Sequence, residues 1–270
     1  FYNEFGLGGL MASFVVHYLC GLKMCTFIEE KFSCVLSKAE KNEFLLGNFM
    51  PDSSRLLFEH FEGTPLEWKE EVQKEKISTH FRNPIRSLYC IQYPSLTLFL
   101  SKYGELFYKH LSVLGYFFHL YTDRYFFQDL FPRSFQFLDV SLRPTLVKSR
   151  ARFVKIFKNN VLYRVNEFWD HGGIYQDYTI MNALLLGQED FSLDFDSLEI
   201  YARDHFVNPG ISEVDYFKVG PVLKQTKEYV NESLELESLD LSVFSLEDIL
   251  NFMDRLVYRF WDDYAFLIEE

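Results

Sequence analysis

Cysteine is scarce in this 270-residue chain, with four in all. No two form a Cys-x-x-Cys pair, so the usual spacing of zinc ribbons and dithiol redox motifs is missing. Cys20, Cys25 and Cys34 fall within one apparently helical segment and read as free thiols of a reducing compartment. No run of about 18 apolar residues is free of charge, so no transmembrane segment is expected. The start, "FYNEFGLGGLMASFVVHY", lacks the basic region and small-residue cleavage site of a signal peptide. Residues 1–10 therefore read as a leader or tag ahead of Met11, and cytoplasm is the default location. Also missing are the G-x-S-x-G elbow, the P-loop, G-x-G-x-x-G and H-E-x-x-H. Their absence removes serine hydrolases, nucleotide-binding folds and gluzincin-type proteases from consideration. A histidine–aspartate phosphohydrolase needs adjacent His-Asp, and only the reverse order, Asp170-His171, occurs.

Positive charge is also in short supply. Lys and Arg number 27 against 39 Asp and Glu, a formal net charge of −12. Such a chain gains no counterion-release affinity for DNA or RNA, so binding of a nucleic-acid polymer is not expected. Hydrolysis of a phosphodiester at a metal site stays open, because bound cations invert the local field. What the chain has in abundance is apolar surface: 48% hydrophobic residues, with 30 Phe and 17 Tyr. That is enough for a sizeable core.

Apolar residues recur at helical spacing through most of the chain, with no internal repeat, low-complexity tract or β-α-β rhythm. The pattern predicts helices over Ser13 to Leu36 and over about Glu105 to Phe131, the latter stopped by Pro132. Gly47, Asn48 and Pro51 punctuate "GNFMPDSS" as a loop. "TLVKSRARFVKIFKNN" reads as a helix with a basic, solvated face able to steer an anionic headgroup. "FWDHGGIYQDYTIMNALLLG" reads as a helix broken at its glycine pair. Ser212 to Leu236 reads as amphipathic. A capping box at Ser245–Asp248 opens a final helix striped with Leu250, Met253, Leu256, Val257, Phe260 and Trp261. The expected fold is all-α: a compact multi-helix bundle, with a metal-binding domain over residues 11–190 and a helical extension over 191–270 packed on it.

Five polar residues sit in apolar settings. In "LGYFFHLYTDRYFF", His119 and Asp123 are four residues apart and share the face of a core helix. His17 lies in "SFVVHYLCG", Asp52 in "LLGNFMPDSS" and His80 in "ISTHFRNP". Singly, each has an ordinary explanation, a hydrogen-bonded core histidine or an N-cap aspartate. Together, three His and two Asp suit a divalent cation such as zinc, since a buried carboxylate is costly unless paired or bound to metal. His60, His110 and His205 have charged neighbours and read as solvent-facing.

The order "MASFVVHYLCG", "LGNFMPDS", "THF", "LGYFFHLYTD" resembles the zinc-dependent phospholipase C family and the related single-strand nucleases, over roughly Met11 to Phe131. The resemblance implies an all-α metalloenzyme that cleaves phosphodiesters with a metal-activated water. It implies that Asp52, His80, His119 and Asp123 hold one zinc, that Asp123 bridges to a second zinc bound by His17, and that Asp52 is a candidate catalytic base. Two ions are expected, with one or three as alternatives, and a small-molecule or lipid phosphodiester as substrate. The chain departs from the pattern in two places. No tryptophan precedes His17, and the histidine expected six residues after the bridging aspartate is Asp129. No H-x-x-x-[DE] follows, and Asp170, His171 and Asp177 are the nearest substitutes. These departures keep two other classes in play: a degenerate non-catalytic member of the fold, and a helical interaction module docking a partner through its acidic last third.

Overall fold

The computed structural model describes residues 13–53, 74–83, 88–169, 173–188, 193–236 and 238–268. Helices dominate. Helix α1 (Phe14–Phe32) is capped by Ser13, whose hydroxyl accepts from the Val16 amide. Helix α2 (Lys38–Phe49) opens with a reciprocal capping box between Ser37 and Glu40. A single 3-10 turn, Met50–Asp52, continues α2 with Pro51 near its start. Helix α3 covers the described residues 74–79. Then come α4 (Leu96–Tyr103) and α5 (Leu111–Tyr125), which runs through a π-helical turn, Phe126–Leu130, into α6 (Phe131–Ser134).

The helix expected from Glu105 is thus shorter at its start, because Gly104–Leu106 forms a 3-10 turn and His110 is extended. Pro132 does not end it. It sits in the first turn of α6, where a missing N–H costs nothing.

"GNFMPDSS" is not a loop at its start either. Gly47 and Asn48 lie inside α2, and Gly47 is there for proximity. A Cβ at Gly47 would stand 2.0 Å from the carbonyl oxygen of Ser112, and one at Gly115 would stand 2.0 Å from that of Phe44. The two helices cross backbone against backbone, each through the glycine of the other's contact. This crossing is the most extensive helix contact in the fold, and it sets the end of α2 against the middle of α5.

Among the described residues three strands interrupt the helical order: β1 (Phe135–Leu138), β2 (Phe153–Ile156) and β3 (Leu162–Arg164), antiparallel in the order β1-β2-β3. Phe135 pairs with Ile156, and Leu138 with Phe153, which pairs in turn with Arg164. The fold is mostly helical, as expected, with this small sheet added to it, and the sheet replaces the helix expected over "TLVKSRARFVKIFKNN". In "FVKI" the burial alternates with a period of two, Val154 and Ile156 inward and Phe153 and Lys155 half-buried, which suits β-branched residues on a pleated surface. Turns with Leu142 and Asn160 at φ 58° and 57° break the segment on either side of β2.

Helices α7 (Val165–Trp169), α8 (Ile174–Leu186), α9 (Phe195–Asp204), α10 (Tyr216–Ser233) and α11 (Leu246–Tyr264) follow. The amphipathic helix expected over 212–236 is α10, and residues 188–212, which carried no helical expectation, contain α9. Helix α11 packs on α1 and α5, and Phe260 stands edge-on to Phe118 and Tyr121. Among the described residues no helix is long and apolar enough to cross a membrane.

Candidate metal centre

Helices α1, α2 and α5 and the segment after α3 bring His17, Asp52, His80, His119 and Asp123 together. All five side chains are buried, Asp52 the most exposed at 7%. They form two overlapping groups, His17–His119–Asp123 and Asp52–His80–His119, with candidate ligand atoms in each within 4.8 Å of one another.

Each side chain has a positional cause. His17 is one turn into α1, and its ring stacks on that of His119, with centroids 3.7 Å apart and planes 7° apart. Asp52 ends the 3-10 turn that follows the Gly47–Gly115 crossing. His80 follows α3 and is anchored from outside, since Tyr116 of α5 donates its hydroxyl proton to the Thr79 carbonyl at 2.5 Å. His119 and Asp123 lie one turn apart on α5, as their spacing requires.

The His119 tautomer follows from its partner. His119 Nδ1 lies 2.7 Å from the Asn48 carbonyl oxygen. His80 Nδ1 lies 3.1 Å from the Lys76 carbonyl oxygen. A carbonyl only accepts, so His119 Nδ1 carries the proton and its Nε2 presents a lone pair, whereas His80 Nδ1 also lies 3.0 Å from the Thr79 hydroxyl, which can donate or accept. Yet the two Nε2 atoms face each other at 3.3 Å. His80 Nε2 also lies 3.6 Å from Asp52 Oδ1 and 3.6 Å from Asp123 Oδ2, and His119 Nε2 is 4.0 Å from Asp123 Oδ2. His80 Nε2 thus has a second imidazole nitrogen and two carboxylate oxygens within 3.6 Å.

A proton is a poor solution to this convergence. Burial drives the His80 imidazole well below its usual range. Burial, reinforced by the stacked His17, takes His119 down to about 4. Burial works against the Asp123 carboxylate, but the His17 imidazole 3.3 Å away, with the His119 and His80 rings, holds it below the usual carboxylate range. Arg82, itself buried, has its guanidinium pKa lowered by burial, opposed by the fields of Asp123 and Asp52.

A cation fits. Ligands held tetrahedrally at ~2.0 Å stand about 3.3 Å apart, close to the 3.3–4.0 Å spacings that His80 Nε2 and His119 Nε2 make within this set. Asp52, His80 and His119 form a three-residue donor set of the N/O type zinc accepts, and Asp123 Oδ2 lies 3.6 Å from His80 Nε2 and 4.0 Å from His119 Nε2 beside it. The other oxygen, Asp123 Oδ1, points away to His17 Nε2 at 3.3 Å. Neither ring nitrogen of His17 makes a hydrogen bond of good geometry. Because His119 Nδ1 is committed to Asn48, that ring offers one lone pair and cannot serve both groups. A second cation would therefore find only His17 and Asp123 Oδ1 among the described residues.

The remaining sequence candidates lie elsewhere. Asp129, on the π-helical turn, takes a hydrogen bond from Arg259 Nη1 at 2.5 Å. Asp177 is fully buried on α8, but its Oδ1 accepts from the Ser242 amide and hydroxyl and its Oδ2 from the Val243 and Phe244 amides, all at 2.7–2.9 Å. That carboxylate clamps the approach to α11. Asp170 and His171 lie outside the described residues, as does His60.

Asn48 is the residue that sequence reading overlooked. Its carbonyl orients His119, and its side-chain Nδ2 donates to the His17 carbonyl at 2.5 Å, tying α2 to α1 beside both rings. Its signal was adjacency to Gly47, taken for loop punctuation. No family model, curated protein or solved structure matches this chain.

Proposed function

We propose that the chain is a metal-dependent hydrolase of phosphoric esters, with zinc held by Asp52, His80, His119 and Asp123 and with His17 and Asp123 Oδ1 as the start of a second position. The observation that supports this reading most is the gathering of two imidazole nitrogens and two carboxylate oxygens in a buried space: His119 Nε2, Asp52 Oδ1 and Asp123 Oδ2 all lie within 3.6 Å of His80 Nε2, and Asp123 Oδ2 also lies 4.0 Å from His119 Nε2. A bound zinc ion supplies Lewis acidity and a water of lowered pKa. The chain's own residues set the rest. The Asn48 carbonyl locks His119 in the tautomer that binds metal through Nε2, and the Lys76 carbonyl and Thr79 hydroxyl hold the His80 ring at its Nδ1. Asp52, at the outer end of the cluster, is the group placed to take a proton from an attacking water. Arg82 brings a fixed positive charge to the same carboxylates and suits an anionic ester. The likeness of the ligand order to zinc-dependent phospholipases C agrees with this reading and adds a phosphodiester as the substrate class.

A second reading, a structural metal in a non-catalytic chain, draws support from the near-complete burial of the five side chains, since catalytic zinc keeps an open position. Hydrolysis of bis-p-nitrophenyl phosphate by zinc-loaded protein separates the two. Turnover that falls at least a hundredfold in Asp52→Asn, with metal retained, supports the hydrolase. Full metal occupancy with no turnover on phosphomonoesters or phosphodiesters leaves the structural site.

A further inference from the structure

The basic stretch singled out in the sequence is absorbed neither by the helical core nor by the metal centre. Residues 133–164 carry eight Lys or Arg against one acidic residue, Asp139, a local net charge of +7 in a chain of −12. Folding gathers much of this charge at one end of the sheet. The register places Arg164 beside Phe153 and Leu138, and the Arg152 amide donates to the Leu138 carbonyl. Arg143 closes the turn that leaves β1, and the loop continues through Lys148 and Arg150. All five side chains are exposed. Asp139 offsets Arg143, its carboxylate accepting from the Ser141 and Arg143 amides and pairing with the Arg143 guanidinium at 3.3 Å, and the Glu167 carboxylate accepts from the Arg164 amide, so the end of the sheet keeps a net positive charge from Lys148, Arg150 and Arg152.

Among these cations stand aliphatic side chains turned to solvent. Val140 is 78% exposed, Leu142 55% and Leu146 56%. Val140 and Leu142 occupy the tip of the Asp139–Arg143 turn, with Leu142 held at φ 58°, a costly backbone for a side chain of that size. The loop does not hide them by folding inward. Thr145 donates its amide to the Phe137 carbonyl, and Cys90 and Lys148 exchange backbone bonds with Leu146 and Leu88, so the platform is fixed beneath the exposed tip. Leu88, 66% exposed, extends the apolar part.

We propose that this end of the sheet docks on an anionic phospholipid surface, the cations meeting headgroup phosphates and the Val140–Leu142 turn entering the headgroup–acyl boundary. Aliphatic tips ringed by Lys and Arg match the two contributions that hold a peripheral protein to a bilayer, buried apolar area and attraction to acidic lipid. A nucleic acid is a poorer occupant. An extended polyanion would also meet the acidic remainder of the chain, whose net charge overall is −12. A flat bilayer touches this end alone. The assignment does not depend on the metal centre.

Flotation of the full chain with phosphatidylcholine vesicles, with and without phosphatidylserine, tests it. The chain is expected to float with the phosphatidylserine vesicles at low salt, to remain in solution with phosphatidylcholine alone, and to be released by salt. Arg143→Ala and Arg150→Ala are each expected to weaken binding about fivefold. Val140→Asp/Leu142→Asp is expected to abolish it, with an unchanged circular dichroism melting curve. Equal flotation with both vesicles, no flotation at low salt, or full binding by Val140→Asp/Leu142→Asp would overturn the proposal. Tighter retention on immobilised polyglutamate than on phosphatidylserine vesicles would overturn it too, by assigning the patch to an acidic polypeptide.

Discussion

The crossing of α1, α2 and α5 and the outer end of the sheet break the same rule in opposite senses. The first buries five ionisable side chains in an aromatic core. The second leaves Val140, Leu142 and Leu146 in water among five cations. Neither arrangement is favourable in isolation. Taking ionisable groups out of water costs several kcal/mol, and exposed aliphatic side chains forgo about 25 cal/mol for each Å² left unburied. Each is assigned a proposed partner of its own kind: a cation inside, an apolar–anionic surface outside. The interior place is closed and selective by geometry, whereas the exterior one is open and selective only by charge and polarity.

The largest expected effect comes from breaking the scaffold of the interior region. Gly115→Val places carbon atoms against the Phe44 carbonyl, and the loss is expected to exceed the ~1–3 kcal/mol usual for overpacking. Urea denaturation would measure it. Gly210→Ala, where nothing lies near the added Cβ but φ is +90°, is expected to cost less.

Next comes Asp177→Ala. It strips the Ser242, Val243 and Phe244 amides of their acceptor, and the expected cost is about 3 kcal/mol, given ~1–3 kcal/mol for each buried group left unsatisfied. Metal content is expected to stay unchanged, which would separate this structural carboxylate from Asp123. Loss of metal in Asp177→Ala with an intact fold would contradict the separation.

Removing a bound metal with chelator is expected to lower stability by about 3 kcal/mol where the free metal had stood a hundredfold above its dissociation constant. The melting temperature with and without zinc reads this directly. In the metal-free protein a pH dependence follows from His119. The unfolded chain takes up that proton near pH 6.5, and the folded chain only near 4. Stability from this group is therefore full above about pH 6.5, is lost as pH falls toward 4, and levels off below. Bound zinc is expected to shift the loss to lower pH, because protons must displace it. The smallest effect on stability belongs to the exterior region, where Arg150→Ala is expected to change it by no more than ~0.5 kcal/mol while weakening vesicle binding.

Legibility in the sequence differed between the two regions for physical reasons. His17, Asp52, His80, His119 and Asp123 were readable because an ionisable residue in an apolar run has few reasons to be there, and helix α5 carried two of them at one-turn spacing. Gly47 was misread because a glycine that permits helix contact looks, in one dimension, like a glycine that ends a helix. Asn48 was lost with it. The sheet was missed because "FVKI" is too short to display its period of two against helical flanks, and long-range pairing with Phe135–Leu138 decides it. Asp129 and Asp177 could not be told from ligands by position alone. Their partners, Arg259 and residues 242–244, are far away in the chain.

The most direct test of the central claim is the zinc content of the purified chain by inductively coupled plasma mass spectrometry, for the wild type beside Asp123→Ala and Asp177→Ala. At least one zinc per chain in the wild type and in Asp177→Ala, with well under one in a folded Asp123→Ala, is the expected result. A wild type that holds no stoichiometric metal after zinc loading, or an Asp123→Ala chain that keeps its full complement, would contradict it.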